Sequence, residues 1–229
     1  MIAAFASLAK ERNVALIMDE TYRDFILDDV PHHLLTPGQR QSNLSSDWTW
    51  RKHFIHLFSF SKSYCVPGHR LGAIVAPPEV LEQIKTVLDN IQICPPRPIQ
   101  LALADMLLEL RPFIRENAQA LAHRHELFRL LLPRTWKIGS QGGYYAFVRH
   151  PFKGIPATDV CRRMAIEAGV VTLPAAFFAP RKLSDQEFEE EEQRWVRFSV
   201  ANVDDERIKR VCQRLRKIQD EFGWEVEAP

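Results

Sequence analysis

The chain has 229 residues, 30 Lys+Arg against 29 Asp+Glu and a formal net charge of +1, so it offers no basic field to nucleic acid or anionic lipid. Hydrophobic residues at 46% and charged residues at 26% are the proportions of a soluble chain with one or two cores. No apolar run approaches the roughly 20 residues of a bilayer span, Glu11-Arg12 follow the first helix without a basic leader, and the scattered Cys65, Cys94, Cys161 and Cys212 read as reduced thiols of a cytoplasmic protein.

Ile2, Phe5, Leu8 and Ala9 recur at helical spacing, and Asn13 closes that helix. Val14 to Met18 is a short apolar run ending in Asp19-Glu20, the pattern of a strand buried on both faces of a parallel sheet. Residues 28–50 read as loop. Two further runs, Phe54 to Phe58 ending at Ser59 and Leu71 to Ala76 ending at Pro77-Pro78, read as buried strands. A helix from Glu79 to about Ile91 completes the alternation of an α/β layer. Past Pro98 come a helix over Ile99 to Leu110 and another carrying Ile114, Ala118, Leu121 and Phe128. A strand at Tyr144 to Val148 follows, then a helix that Gly169 ends. The acidic run Glu187 to Glu192 reads as solvated loop. Trp195 to Val200 is a strand, and Asp204 opens a last helix with Ile208, Val211, Cys212, Leu215 and Ile218 inward.

Phosphate-loop and dinucleotide glycine motifs are absent. Metal spacing is poor: His53 and His56 are three apart on an expected strand and face opposite ways, His123 and His125 diverge on a helix, and His32-His33 lies in a loop. Four polar side chains stand out by position. Asp19 closes a strand at the carboxyl edge where open α/β sheets place their sites, with Tyr22 three residues on. Lys62 follows the second strand within Ser59-Phe60-Ser61-Lys62-Ser63-Tyr64, and Arg70 comes eight residues later. A lysine flanked by hydroxyls and followed by an arginine suits covalent capture of a phosphorylated aldehyde, the amine forming an imine and the guanidinium fork holding the phosphate. On residue chemistry alone Asp19 serves equally as a turn cap, Tyr22 as a core aromatic, Ser59 and Ser61 as loop hydroxyls, and Arg70 or Arg197 as a surface ion-pair partner.

Three stretches taken together, in this order and spacing, resemble the fold-type-I, pyridoxal-phosphate-dependent aminotransferases of class I/II. They are Asp19-Glu20-Thr21-Tyr22, then Ser59 to Tyr64 through Pro67-Gly68-His69-Arg70-Leu71-Gly72, then Arg197-Phe198-Ser199-Val200-Ala201. The resemblance implies an α/β fold: a partial cofactor domain over 1–110, with an interdomain helix and a smaller α+β domain over 111–229. It implies that Lys62 is the Schiff-base lysine that also moves the substrate α-proton. Asp19 is then the partner of the pyridine nitrogen, and Tyr22 of the ring oxygen. Ser59, Ser61 and Arg70 form the phosphate cradle, and Arg197 clamps the substrate carboxylate. Amino acid and 2-oxo acid substrates, pyridoxal 5'-phosphate and a homodimer follow from the same resemblance. A same-fold lyase or decarboxylase, or a non-catalytic remnant that binds a partner, would use the same sequence differently.

Two departures from the family's pattern matter. Leu173-Pro174-Ala175-Ala176-Phe177-Phe178 keeps only a proline and an aromatic where the family has a Pro-Gly pair and Phe-Gly, so side-chain specificity does not transfer. The family's Asn-Pro-x-Gly turn and the chain before it have no counterpart ahead of Met1. The three cofactor-domain strands would then have two open edges. The expectation is a chain that alone is poorly soluble or pairs its edges with another chain, against which a well-behaved monomer in size-exclusion chromatography would count.

Overall fold

A computed structural model describes residues 2–28, 30–36, 48–178 and 192–228. The chain divides into two compact units, 1–118 and 119–229. The acidic run up to 191 and most of the expected 28–50 loop lie outside the described residues.

The first unit opens with α1 (Ile2–Glu11), which ends where Asn13 takes a left-handed conformation, φ 50°, and its N–H reaches Lys10 O. Strand β1 (Leu16–Asp19) runs parallel to β2 (Phe54–Ser59), with Asp19 opposite Leu57, and β2 runs antiparallel to β3 (Gly72–Val75). Alternation along the strands sorts the sheet into two faces. Leu16, Met18 and Phe54 pack with Ala6, Leu34 and Trp48 into one small core, while Ile17 on the other face is 60% exposed.

The expectation of strands buried on both faces fails for β1 and β3: β1 alternates half-buried with exposed, and Gly72, Ala73 and Ile74 are all exposed. A continuous apolar run states only that both faces of a strand tolerate burial; whether an element covers each face is decided elsewhere in the chain. Nor is β3 parallel: the twelve residues 60–71, which hold only the short α3 (Phe60–Ser63) and the turn Pro67–His69, return the chain beside β2 in the antiparallel sense. Next come α4 (Pro78–Ile91) and α5 (Arg97–Met106), both with proline in the first turn, where its missing N–H costs no bond. Helix α6 (Arg111–Leu131) carries the division between the units at Ala118.

The second unit is an antiparallel sheet in the order β4 (Lys137–Gly142), β5 (Tyr145–Arg149), β7 (Trp195–Ser199), β6 (Leu173–Pro174). Strand β4 was not anticipated, because it carries one apolar side chain and stays largely exposed. Its bulge falls between Ile138 and Ser140; Gly139 sits there because a Cβ would overlap the Trp195 indole. Helix α7 (Ala157–Ala168) stops at Gly169, φ 60°, as its position predicts. Helix α8 (Asp205–Glu221) is capped by Asp204, whose carboxylate accepts the Arg207 N–H at 2.8 Å, and buries Ile208, Cys212, Leu215 and Ile218.

Within this core His150 is fully buried. Burial, then the Arg194 and Arg149 charges, press its pKa down to about 3. The folded imidazole therefore stays neutral where the unfolded one, ordinary at 6.5, takes up a proton. Stability contributed above pH 6.5 is lost as pH falls from 6.5 toward 3, at up to about 1.4 kcal/mol per pH unit. Urea unfolding followed by the fluorescence of Trp136, whose ring centroid is 6.5 Å from that of His150, should show this slope, and His150→Gln should flatten it.

Candidate functional site

The carboxyl ends of parallel β1 and β2 meet at one end of the first sheet, and antiparallel β3 begins there, with Gly72 opposite Ser59. This topology collects Asp19, Tyr22, Ser59, Ser61, Lys62 and Arg70 at a single sheet edge. Asp19 and Ser59 lie on the same face, since Ser59 is two residues beyond the partner of Asp19.

Each group is held locally. The Asp19 carboxylate accepts from Thr21 N at 3.0 Å and Thr21 Oγ1 at 2.6 Å, so it caps the turn and still presents acceptor capacity outward. Tyr22 precedes a short helical turn, Arg23–Phe25, its ring centroid 6.1 Å from that of Phe25. Ser59 caps α3 by accepting the Ser61 N–H at 3.3 Å. Lys62 is half-buried on the one turn that α3 provides.

The segment that follows is strained: Cys65 and Arg70 hold φ values of 56° and 52°, left-handed positions that side chains other than glycine occupy at a cost of order 1 kcal/mol. Arg70 bends back so that its Nη1 donates to Pro67 O at 2.8 Å. Strain of this kind persists only where surrounding structure imposes it, and it accumulates at binding sites.

Sequence reasoning passed over the residue next to Asp19. Glu20 is 6% exposed. On its Oε2 converge Arg23 Nη1 at 2.8 Å, His32 Nε2 at 3.1 Å and His56 Nε2 at 2.7 Å. His32 Nδ1 accepts the Leu34 N–H at 3.1 Å, which leaves Nε2 as the protonated nitrogen facing the carboxylate. Burial would raise the carboxyl's pKa, but the close approach of the two histidines and the Arg23 charge outweigh it, and Glu20 is held well below the usual carboxylate range. The expected placement of His53 on the same strand as His56 does not hold: His53 ends α2 (Trp50–His53), and only His56 lies on β2. The available signal was strand alternation, which sends Glu20 to the face opposite Asp19.

In the second unit, Arg197 sits on β7 between buried Val196 and Phe198 and so points to the other side of the sheet. Its guanidinium carbon lies 4.1 Å from the Tyr145 ring centroid and 3.9 Å from that of Phe178. Two aromatic faces fix the plane of the fork without consuming its N–H donors, and no carboxylate pairs with it among the described residues. Phe178 belongs to the loop in which the sequence departs from the family's glycines.

The donor set at the sheet edge fits a phosphorylated pyridine aldehyde. It comprises a carboxylate for a protonated ring nitrogen, a phenol, a primary amine, and two hydroxyls with a guanidinium for phosphate. Among the described residues no helix is long and apolar enough to cross a membrane.

Comparison with known proteins gives a consistent result. The family model described as aminotransferase class I and II matches residues 2–215. The chain is 27% identical to an aspartate aminotransferase of Sulfurisphaera tokodaii over 96% of its own length and 51% of that protein. It is 25% identical to aromatic-amino-acid aminotransferase 2 of Thermococcus litoralis, over 94% and 51%. Among solved structures, the aromatic aminotransferase of Pyrococcus horikoshii aligns with a TM-score of 0.75 and 24% identity, over 95% of this chain and 54% of that one. A Thermus thermophilus aspartate aminotransferase mutant aligns with a TM-score of 0.75 at 21% identity, a likeness of fold. The chain spans about half the length of these relatives.

Proposed function

The chain belongs to the class I and II aminotransferase family, and on that premise we propose that it carries the lysine-bearing part of a pyridoxal-phosphate-dependent aminotransferase. It would transfer an amino group from an amino acid to a 2-oxo acid. The observation that supports this most is the convergence of Asp19, Ser59, Lys62 and Arg70 at one end of the sheet. Unit 1–118 then corresponds to part of the cofactor domain and unit 119–229 to the small domain. The cytoplasm and a homodimer complete the reading; cysteines free of disulfides accord with a reducing compartment.

Pyridoxal phosphate, when bound, supplies an aldehyde and a ring that accepts electron density from the substrate's α-carbon. The chain's residues do the rest. Lys62 offers the amine for the aldehyde carbon and moves the proton at the substrate α-carbon. Asp19 keeps the ring nitrogen protonated through a charge-assisted hydrogen bond, and Tyr22 bonds the ring oxygen. Ser59, Ser61 and Arg70 hold the phosphate, the Arg70 fork giving up its contact with Pro67 to do so. Arg197, its plane fixed by Tyr145 and Phe178, grips the α-carboxylate bidentately.

The test adds pyridoxal phosphate to the full chain, follows the visible absorbance, then adds amino acids and assays the 2-oxo acid formed. A Lys62-dependent band and one equivalent of oxo acid are expected; their absence overturns the reading. Arg197→Gln should keep the band and raise the amino acid concentration needed for half-conversion about a hundredfold, the scale of losing a charge-paired bidentate contact. An unchanged concentration dependence removes Arg197 from the substrate site.

A further inference from the structure

Glu20 forms a polar hub that none of the site assignments uses, and it joins three separate stretches of chain. Its own backbone N–H extends the β1–β2 ladder by donating to Leu57 O at 2.9 Å, and its carbonyl accepts the Arg23 N–H at 3.0 Å. Its carboxylate holds His56 on β2, His32 in the stretch after β1, and Arg23 in the turn that follows Tyr22. Both histidines are buried.

From His56 a train of rings runs along β2 into the α3 turn. His56 stacks at 6.4 Å on Phe58, Phe58 meets Phe60 edge-on at 5.2 Å, and Phe60 meets Tyr64 at 5.3 Å. Phe60 and Tyr64, four residues apart, share one face of the turn whose opposite face bears Lys62, so the train braces the turn that carries the lysine. On the other side, Asp19 and Glu20 are consecutive extended residues, so fixing one side chain beneath the sheet fixes the direction of the other above it.

We propose that Glu20 is a positioning residue of the cofactor site: its grip on His32, His56 and Arg23 sets where Asp19 and Lys62 stand at the strand ends. The role rests on reading that sheet edge as the cofactor site. Packing alone does not require this arrangement, since a buried ion cluster is rarely more stabilising than apolar side chains of the same volume; what it supplies is a single geometry for the strand end.

All three donors meet the single oxygen Oε2, so an amide offers them at best an uncharged acceptor and, turned the other way, an NH2 against groups that themselves donate. Glu20→Gln retains the volume and should fold, while the turn carrying Asp19 and the strand leading into the α3 turn lose their charged anchor.

The experiment titrates the full chain with pyridoxal phosphate and records the dissociation constant and the pH midpoint of the visible band, with circular dichroism to establish folding. Wild type should bind with a Lys62-dependent band. Glu20→Gln should be folded, bind about tenfold more weakly, the scale seen when the support of a binding residue is removed, and shift the pH midpoint, which a loss of stability alone would not move. Exposed Glu79→Gln should match wild type. Should Glu20→Gln fail to fold, His56→Gln decides, since it leaves the carboxylate on His32 and Arg23 and should loosen binding in the same direction. A folded variant with wild-type affinity and midpoint overturns the positioning role while the cofactor site stands. A wild type without any Lys62-dependent band overturns both.

Discussion

Replacing Lys62 by Ala is expected to abolish the visible band formed with pyridoxal phosphate and to slow conversion of an amino acid to its oxo acid by about a thousandfold or more. Two contributions disappear together: the covalent anchor for the aldehyde carbon and the base that moves the α-proton, each alone worth up to several orders of magnitude. The side chain is half-buried on a four-residue helix, so truncation to Ala should leave the fold intact, and unfolding curves of the two proteins should nearly coincide. Added primary amines should restore part of the proton-transfer rate in Lys62→Ala if the site is as assigned. A variant that keeps the band would move the covalent anchor elsewhere and undo the assignment of Asp19, Ser59, Ser61 and Arg70 with it.

The second large effect concerns the 119–229 unit. Phe152→Ala should destabilise it by about 4 kcal/mol, the middle of the range for a buried phenyl ring. Phe152 is fully buried and meets four rings: Trp136 at 6.1 Å, His150 at 5.8 Å, Phe222 at 5.7 Å and Trp224 at 5.2 Å. Its backbone also bridges to Val226 near the carboxyl end, and Arg163 lies 4.2 Å over the Phe222 ring and 4.7 Å over Trp224. Removing the ring therefore leaves a cavity at the junction of β5, α7 and the end of the chain, where few side chains are free to collapse inward. Urea unfolding monitored by tryptophan fluorescence should show the loss as a lower midpoint with an unchanged slope. A change under about 1 kcal/mol would mean that the aromatic cluster repacks.

Most of the elements were legible along the chain because their signals are local. The helices α1, α6, α7 and α8 follow from apolar spacing, and ends of three of them from single residues: Asn13 after α1, Gly169 after α7 and Asp204 before α8 sit where a left-handed or capping conformation is needed. Strand β7 was legible as well, and its alternation sends Arg197 away from Val196 and Phe198. Strand β4 was not, since a strand exposed along most of its length shows no apolar run.

The candidate site divides along the same line. The residue types and their spacing singled out Asp19, Lys62 and Arg70 as candidates because capture of a phosphorylated aldehyde is specific about which side chains it needs. Their gathering at one sheet edge needed the parallel register of β1 with β2. The Glu20 hub was invisible for a further reason. Its partners lie 3, 12 and 36 positions away at Arg23, His32 and His56, and nothing local distinguishes a loop histidine from a ligand of a buried carboxylate.

What the sequence showed by itself, then, is the family resemblance, most of the elements and the candidate side chains, since helical and strand periodicity, caps and motif spacing are properties of neighbouring residues. Tertiary structure alone decided which strand faces are covered, that Arg197 lies between two aromatic rings, and that Glu20 ties His32 and His56 beneath the strand end that bears Asp19. Those outcomes depend on contacts between residues distant in the chain, whose burial removes water from polar groups and forces each of them to find a partner.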